Sequence, residues 1–381
     1  MTNTRRAALL PFAPMKFRDV AATAVCAAQT LFAGLALLVL LGQVTSAQAA
    51  DEAACRRVVP GALNPALLVL RLDNDVIARQ DQGYSSGLQI KAVTPNLDPH
   101  DGDACLSGPA RWLNRELEWL SPAHYEQRNL VFGLGQAIYT PNDPERSDLI
   151  VDDRPYAGAL LLSAGYNARL GDELWASQIV LGVVGPASQA ERTQKLFHRV
   201  FGSERFRGWD HQLKNEPVVM LLHERSRRWG SHALLPASDS LRWDAITHWG
   251  GTVGNFLTGA NVGFEIRFGY RLPDDFGSSP LRPAGENTAP LRAAVSSGGW
   301  SWHAFVNTDA RLVLHDITLD GNSFRDSHHV HKRPLVADVA LGVAVLGGDW
   351  KLAFARNYGT RQFRGQQERP SFGSITLSRA L

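Results

Sequence analysis

Residues 260–272 read "ANVGFEIRFGYRL". Val262, Phe264, Ile266 and Phe268 alternate with Gly263, Glu265, Arg267 and Gly269, a period of two and hence a strand with one apolar and one polar face. The same pattern recurs along the chain. Twelve alternating runs are expected at 66–73, 86–94, 129–139, 157–168, 173–184, 216–227, 241–252, 259–270, 300–315, 334–347, 349–358 and 372–379, separated by Gly, Pro, Asp and Asn clusters. Gly171-Asp172 and Gly347-Gly348-Asp349 are hairpin turn signals. An even number of strands about ten residues long fits a closed antiparallel barrel in an outer membrane, because lipid leaves an open sheet edge unsatisfied. The ten Trp, seven Tyr and sixteen Phe supply interfacial girdles. Alternation is shared by soluble β-sandwiches and lipocalin-like barrels, so that architecture competes. The final "SRAL" also lacks the terminal aromatic residue common in outer-membrane barrels.

The expected fold class is therefore all-β: a twelve-stranded antiparallel transmembrane β-barrel, residues 50–381, with short helices in its loops. Continuous hydrophobicity occurs once, between Val20 and Val44, after Arg5, Arg6, Lys16 and Arg18 and before "SAQAAD". Those are the parts of a secretory signal, residues 1–49, with cleavage after Ala49. A membrane anchor is the alternative reading, but no basic stop-transfer cluster follows. Met15 opens a leader of more ordinary length and is the hypothesised start; cellular peptides from residues 1–14 would refute it. The signal contains four basic residues and Asp19, so the 39 basic and 37 acidic residues become 35 and 36. A near-neutral chain carries no bulk signal for nucleic acid. Of the three cysteines, Cys55 and Cys105 remain, and in an exported chain they suggest one disulfide, with two unpaired thiols as the alternative.

Two regions break the strand pattern. Residues 105–128 place Leu106, Trp112, Leu113, Leu117 and Leu120 near helical spacing. Residues 186–204, "PASQAERTQKLFHRVFGSE", form a clearer helix, with Pro186 in the first turn, Ser188 as the cap, Glu191 three residues on and Gly202 as the stop. A loop helix of this kind leans on a barrel rim and makes a cleft.

Four stretches offer chemistry. In the second helix Gln194 and His198 are four apart and share a face, and Glu204 follows. A neutral imidazole takes a proton from water; a solvated surface histidine is the plainer reading. "LRLDNDVIARQDQGYSSGLQIKAV" (70–93) sets Asp73, Asn74 and Asp75 beside apolar positions, with Ser85 and Ser86 after a short turn. Hard cations want several such oxygens; a solvated strand end would look alike. Ser86 lacks the G-x-S-x-G elbow of a nucleophile. In "DDRPYAGALLL" (152–162) Arg154 has a fork suited to phosphate, or to an ion pair that fixes a loop end. "GWDHQLKNEP" (208–217) is a polar-aromatic loop with Lys214, in which Trp209 also reads as an interfacial anchor.

In this order, "LDND…QGYSSGL", "DDRPYAG", "GVVGPASQAERTQKLFH" and "GWDHQLKNEP" resemble the outer-membrane lipid A deacylases that remove 3′-O-linked acyl chains. The resemblance runs from about Leu70 to the C-terminus. It implies a twelve-stranded barrel acting on lipid A, or lipopolysaccharide, with calcium and a histidine-activated water, in the manner of secreted phospholipases A2. His198 then corresponds to the base, with Gln194 and Glu204 at the family's spacing around it. Asn74 and Asp75 correspond to the first-strand pair. Ser86 stands in an element reading "YSSG" where Thr-Asn is usual in place of Ser-Ser. Asp75 and Glu204 are the charged metal candidates, and Arg154 and Lys214 the candidates for a lipid A phosphate. The competing functions are a porin-like or structural barrel with the 186–204 helix as a plug, and an outer-membrane phospholipase A.

Overall fold

The computed structural model describes residues 66–74, 83–97, 112, 114–116, 118–120, 124–201, 206–235, 238–277 and 299–381. The signal segment, Cys55, Cys105, Asp75, Gly202, Glu204 and most of 105–128 lie outside these residues.

Twelve strands form one closed antiparallel barrel. They are β1 (Leu67–Asn74), β2 (Gly83–Val93), β3 (Gln127–Thr140), β4 (Ala157–Leu170), β5 (Glu173–Val184), β6 (Glu216–Leu235), β7 (Ser238–Gly254), β8 (Leu257–Tyr270), β9 (Ser301–Asp316), β10 (Leu335–Gly347), β11 (Trp350–Gly359) and β12 (Ser371–Ala380). Each neighbours the next, and β1 closes on β12 from Leu67↔Ala380 to Asn74↔Gly373. Closure leaves no free edge, as a bilayer demands.

The phase of the alternation decides what the barrel is for. In β8, Val262, Phe264 and Ile266 are exposed, whereas Glu265 and Arg267 are 2% and 0% exposed. Leu341, Val343 and Val345 in β10 and Leu352 and Phe354 in β11 also face outward. Apolar outside and polar inside is the inverse of a soluble barrel and matches a lipid-embedded one.

Every expected strand is present. The largest boundary error is at β6 and β7, which run on to Leu235 and back from Ser238 through a charged stretch that reads as loop. There Arg242 Nε donates to the Ser231 hydroxyl at 2.7 Å and Trp229 donates to Thr247, so cross-strand contacts hold polar sequence in a sheet. Gly230, with φ of 43°, absorbs the register shift between Trp229 and Ser231.

Inside, charge is paired. Arg267 donates to both carboxylate oxygens of Asp244 at 2.9 and 2.6 Å and pairs with Asp275. Asp275 lies on the segment after β8 and also receives Lys351 Nζ from β11 at 2.7 Å. Its neighbour Asp274 binds Arg169 of β4, whose guanidinium stacks on Phe276. The 273–277 segment therefore crosses the lumen from β8 to β11 and β4. At the opposite end, two helix-containing loops meet: α1 (Ala190–Phe201) follows β5, and α2 (Ile317–Asp320) follows β9.

Candidate functional site at the outer wall

Asn74 ends β1 on the same parity as the exposed Leu68 and Leu70, so it belongs to the outer face. Asp73, one residue earlier, faces the lumen, where it accepts from Arg71 at 2.8 Å and Ser374 at 2.6 Å. The oxygen-rich run seen in the sequence is thus divided by the pleat: Asp73 is an internal ion-pair residue, and Asn74 is on the wall.

Residues opposite each other in adjacent strands share a face, so the register traces a shelf across the outer wall. Asn74 pairs with Ser86, Ser86 with Ile138, and Ile138 with Gly158. The row below reads Leu72, Leu88, Gln136, Leu160, and the next Leu70, Ile90, Leu134, Leu162. Polar atoms at one height give way to apolar side chains two residues further down. A register shift between Tyr84 and Ser86 marks a bulge beside the shelf, a device common next to active sites.

The helix α1 roofs the β3–β4 end of this shelf. A β-carbon on Gly158 would lie 2.1 Å from the Ala190 β-carbon and 2.5 Å from Ser188 Oγ, so only glycine lets the loop press onto the wall. Gly185 N–H donates to the Gly158 carbonyl at 2.9 Å, and Gln136 Nε2 donates to the Ser188 carbonyl at 2.6 Å. Ser188 does not cap the helix as expected. It belongs to a separate 3₁₀ turn, Pro186–Ser188, and its hydroxyl donates to the Gly185 carbonyl. Gln189, in the left-handed region with φ of 59°, breaks the chain direction before α1 begins. Glu191 turns outward to pair with Lys195.

Gln194, one turn along from Ala190, is 3% exposed and accepts the Trp209 indole N–H at 2.8 Å. Helical spacing puts position 198 on the same face. Trp209 is not an interfacial anchor. It is buried with Ile138, Tyr156, Ala190 and Phe206, its ring 5.2 Å from that of Tyr156. Burial pushes the Tyr156 phenol up to about 12, so it is a neutral wedge rather than a base.

The two phosphate candidates part company. Arg154 is 2% exposed and sits in the loop cap on the lumen side. Its guanidinium donates to Thr318 at 2.9 Å and Gln362 at 3.3 Å and stacks on Tyr139. It is the loop tie that the sequence also allowed, and the substrate-binding expectation is corrected: both terminal nitrogens are engaged inside the protein and the side chain is buried. Lys214 is exposed, on backbone fixed by two 2.9 Å bonds to Asn322. Among the described residues no group of three or more His, Cys, Asp or Glu is placed to hold a metal. Asn74 and Ser86 bring an amide and a hydroxyl oxygen opposite one another, the donor type a hard cation takes, and the carboxylate candidates Asp75 and Glu204 are outside the described residues. The contributions of Gly158, Gln136 and Trp209 escaped the sequence reading; the one signal was a glycine inside a strand pattern.

The fold and the shelf define a class: a transmembrane barrel of the outer-membrane type that carries a helix-roofed polar site on its outer wall. The sequence matches the family described as "Outer membrane protein LpxR" over residues 31–381, and the chain belongs to that family of outer-membrane proteins. Among solved structures it is similar to LpxR from Salmonella typhimurium, at 16% identity and a TM-score of 0.63, covering 83% of this chain and 100% of that one. That likeness establishes a shared fold. The β domain of the Bordetella autotransporter BrkA (10% identity, TM-score 0.39, 83% of this chain and 98% of that one) and the KdgM porin (6%, 0.33, 83% and 99%) are more distant. No curated protein sequence matches significantly.

Proposed function

We propose that this protein is a carboxylic ester hydrolase of the outer membrane that removes 3′-O-linked acyl or acyloxyacyl chains from lipid A. The observation that carries the reading is the shelf: polar Asn74 and Ser86 stand in one row with Ile138 and Gly158, where α1 packs on the wall, above outward-facing rows made mostly of leucine and isoleucine. A lipid ester has the same layout, with a polar carbonyl above a hydrocarbon chain. The apolar rows lie against the chain and the shelf receives the ester.

In this reading His198 takes a proton from the attacking water, an effect worth about 10²–10⁴-fold in rate. Asn74, Asp75, Ser86 and Glu204 supply oxygens of the kind that would hold calcium. When bound, the ion supplies Lewis acidity for the ester carbonyl. Gln194 contributes from the roof, and Lys214 on the exposed loop meets a lipid A phosphate. A porin-like role is disfavoured by the paired 273–277 segment crossing the lumen.

The test is mass spectrometry of lipid A from a host lacking the activity, with and without this gene. Loss of the mass of the 3′ acyl group is the expected result. Unchanged lipid A from a membrane holding folded barrel would refute the reading, and cleavage of glycerophospholipid instead would assign the site to a phospholipase A.

A further inference from the structure

An indole N–H can only donate a hydrogen bond, so the contact between Trp209 and Gln194 fixes which way the Gln194 amide points. The oxygen faces the indole at 2.8 Å, and Nε2 must lie on the other side. That Nε2 is buried and has no hydrogen-bond partner among the described residues. A buried amide holding two unmet donors is costly, and native proteins keep such groups where a ligand or water completes them. Gln194 lies one turn from Ala190, the residue seated on Gly158, so it is carried by the roof of the shelf. The holder is itself rigid: Trp209 is packed by Tyr156 and Phe206, and a β-carbon at Gly208 would meet the Tyr156 ring at 2.6 Å.

We propose that Trp209 is a positioning residue that locks the Gln194 amide, and that the Nε2 donor so presented hydrogen-bonds the carbonyl oxygen of the ester being cleaved. This rests on the esterase reading and adds to it an assigned donor and the residue that orients it. The donor's bond strengthens as the carbonyl oxygen gains negative charge, so its loss falls on turnover. With indole N–H absent, the amide rotates freely and its acceptor end competes for the same place.

The experiment measures kcat and KM for lipid A hydrolysis by purified, heat-modifiable barrels in mixed micelles with calcium. Gln194→Met is expected to lower kcat about 100-fold with KM little changed, the scale of one oxyanion donor. Trp209→Phe, which keeps an aromatic ring, is expected to lower kcat roughly tenfold through misorientation alone. The double variant is expected to be no slower than Gln194→Met, because Trp209 acts only through Gln194. Gln194→Glu keeps the acceptor for the indole and removes the donors, so it too loses turnover. Wild-type kcat in Trp209→Phe or Gln194→Glu, or strictly additive losses in the double variant, would overturn the positioning proposal while the esterase reading stood. An inactive wild-type barrel would overturn both.

Discussion

Asp73 and Asn74 are adjacent in sequence and belong to different worlds. Asp73 points into the lumen, where it accepts hydrogen bonds from Arg71 and Ser374. Asn74 belongs to the outer face, at the head of the row that runs through Ser86 and Ile138 to Gly158, where α1 packs. The inside of this barrel is a frame of paired charges; the outside is an apolar wall interrupted at one height by the polar Asn74 and Ser86. Charge density alone therefore does not point to the candidate site. A densely charged part of the lumen, around Arg267, Asp244 and Asp275, is where charges neutralise one another.

The comparison breaks most sharply at the shelf. His198→Ala is expected to leave a folded, heat-modifiable barrel and to cost about 10²–10⁴-fold in lipid A deacylation, the range for loss of a general base. Normal deacylation in mass spectra would remove His198 from the mechanism. Asn74→Ala belongs with it, with a loss of about 10²-fold on the scale of one stabilising group, and Asp73→Asn serves as its control. The control should lower stability and leave the turnover of the folded fraction intact. If Asp73→Asn abolished turnover while Asn74→Ala did not, the assignment of the two faces would be reversed. Excess EGTA is expected to abolish activity, and added calcium to restore it. Full activity in chelator would eliminate the metal.

Next in size is the roof. Gly158→Val drives a side chain into Ala190 and Ser188, so α1 must lift. Deacylation should fall at least roughly tenfold, because even small misplacement of reacting groups is expensive. Unfolding of the barrel should shift little, since the strand pairing of β4 does not pass through the helix. The lumen gives the opposite signature. Arg267→Met leaves Asp244 buried without its cation and Asp275 with Lys351 alone, a loss of about 3–5 kcal/mol for a broken internal pair. Urea titration in detergent would register it, while turnover of the molecules still folded stays near wild type. A large drop in turnover at unchanged stability would mean that the lumen is part of the active region.

The barrel was legible in the sequence because its signal is repeated. Twelve alternating runs each carry the period of two, and a missed charge costs one boundary, as at β6 and β7, without altering the topology. The layout of the candidate site was legible only in part. His198, Gln194 and Asn74 stand in recognisable motifs, but the sequence presented Asp73, Asn74 and Asp75 as one cluster. Only the pleat separates Asp73 from Asn74. Arg154 was misjudged because a guanidinium fit for phosphate is equally fit for Thr318 and Gln362. The burial that decides between them comes from loops more than 150 residues away, by the separations of 164 and 208 to those partners. Trp209 was read as an anchor because its indole could as well have pointed to the interface as to Gln194.

The smallest expected effect sharpens the contrast between the two cations once paired as phosphate candidates. Arg154 holds the loop cap from inside, whereas Lys214 stands exposed on a backbone anchored by Asn322. Lys214→Ala is expected to raise KM for lipid A by roughly two- to threefold with kcat unchanged, because a solvated ammonium contributes little through water and is further screened by salt. Repeating the measurement on lipid A lacking a phosphate should erase the difference between wild type and variant. Arg154→Lys, by contrast, should leave KM unaffected by the phosphate and lower the unfolding midpoint, since an ammonium cannot reach Thr318 and Gln362 together while stacking on Tyr139. A phosphate-dependent KM in Arg154→Lys would return that residue to the substrate side of the wall.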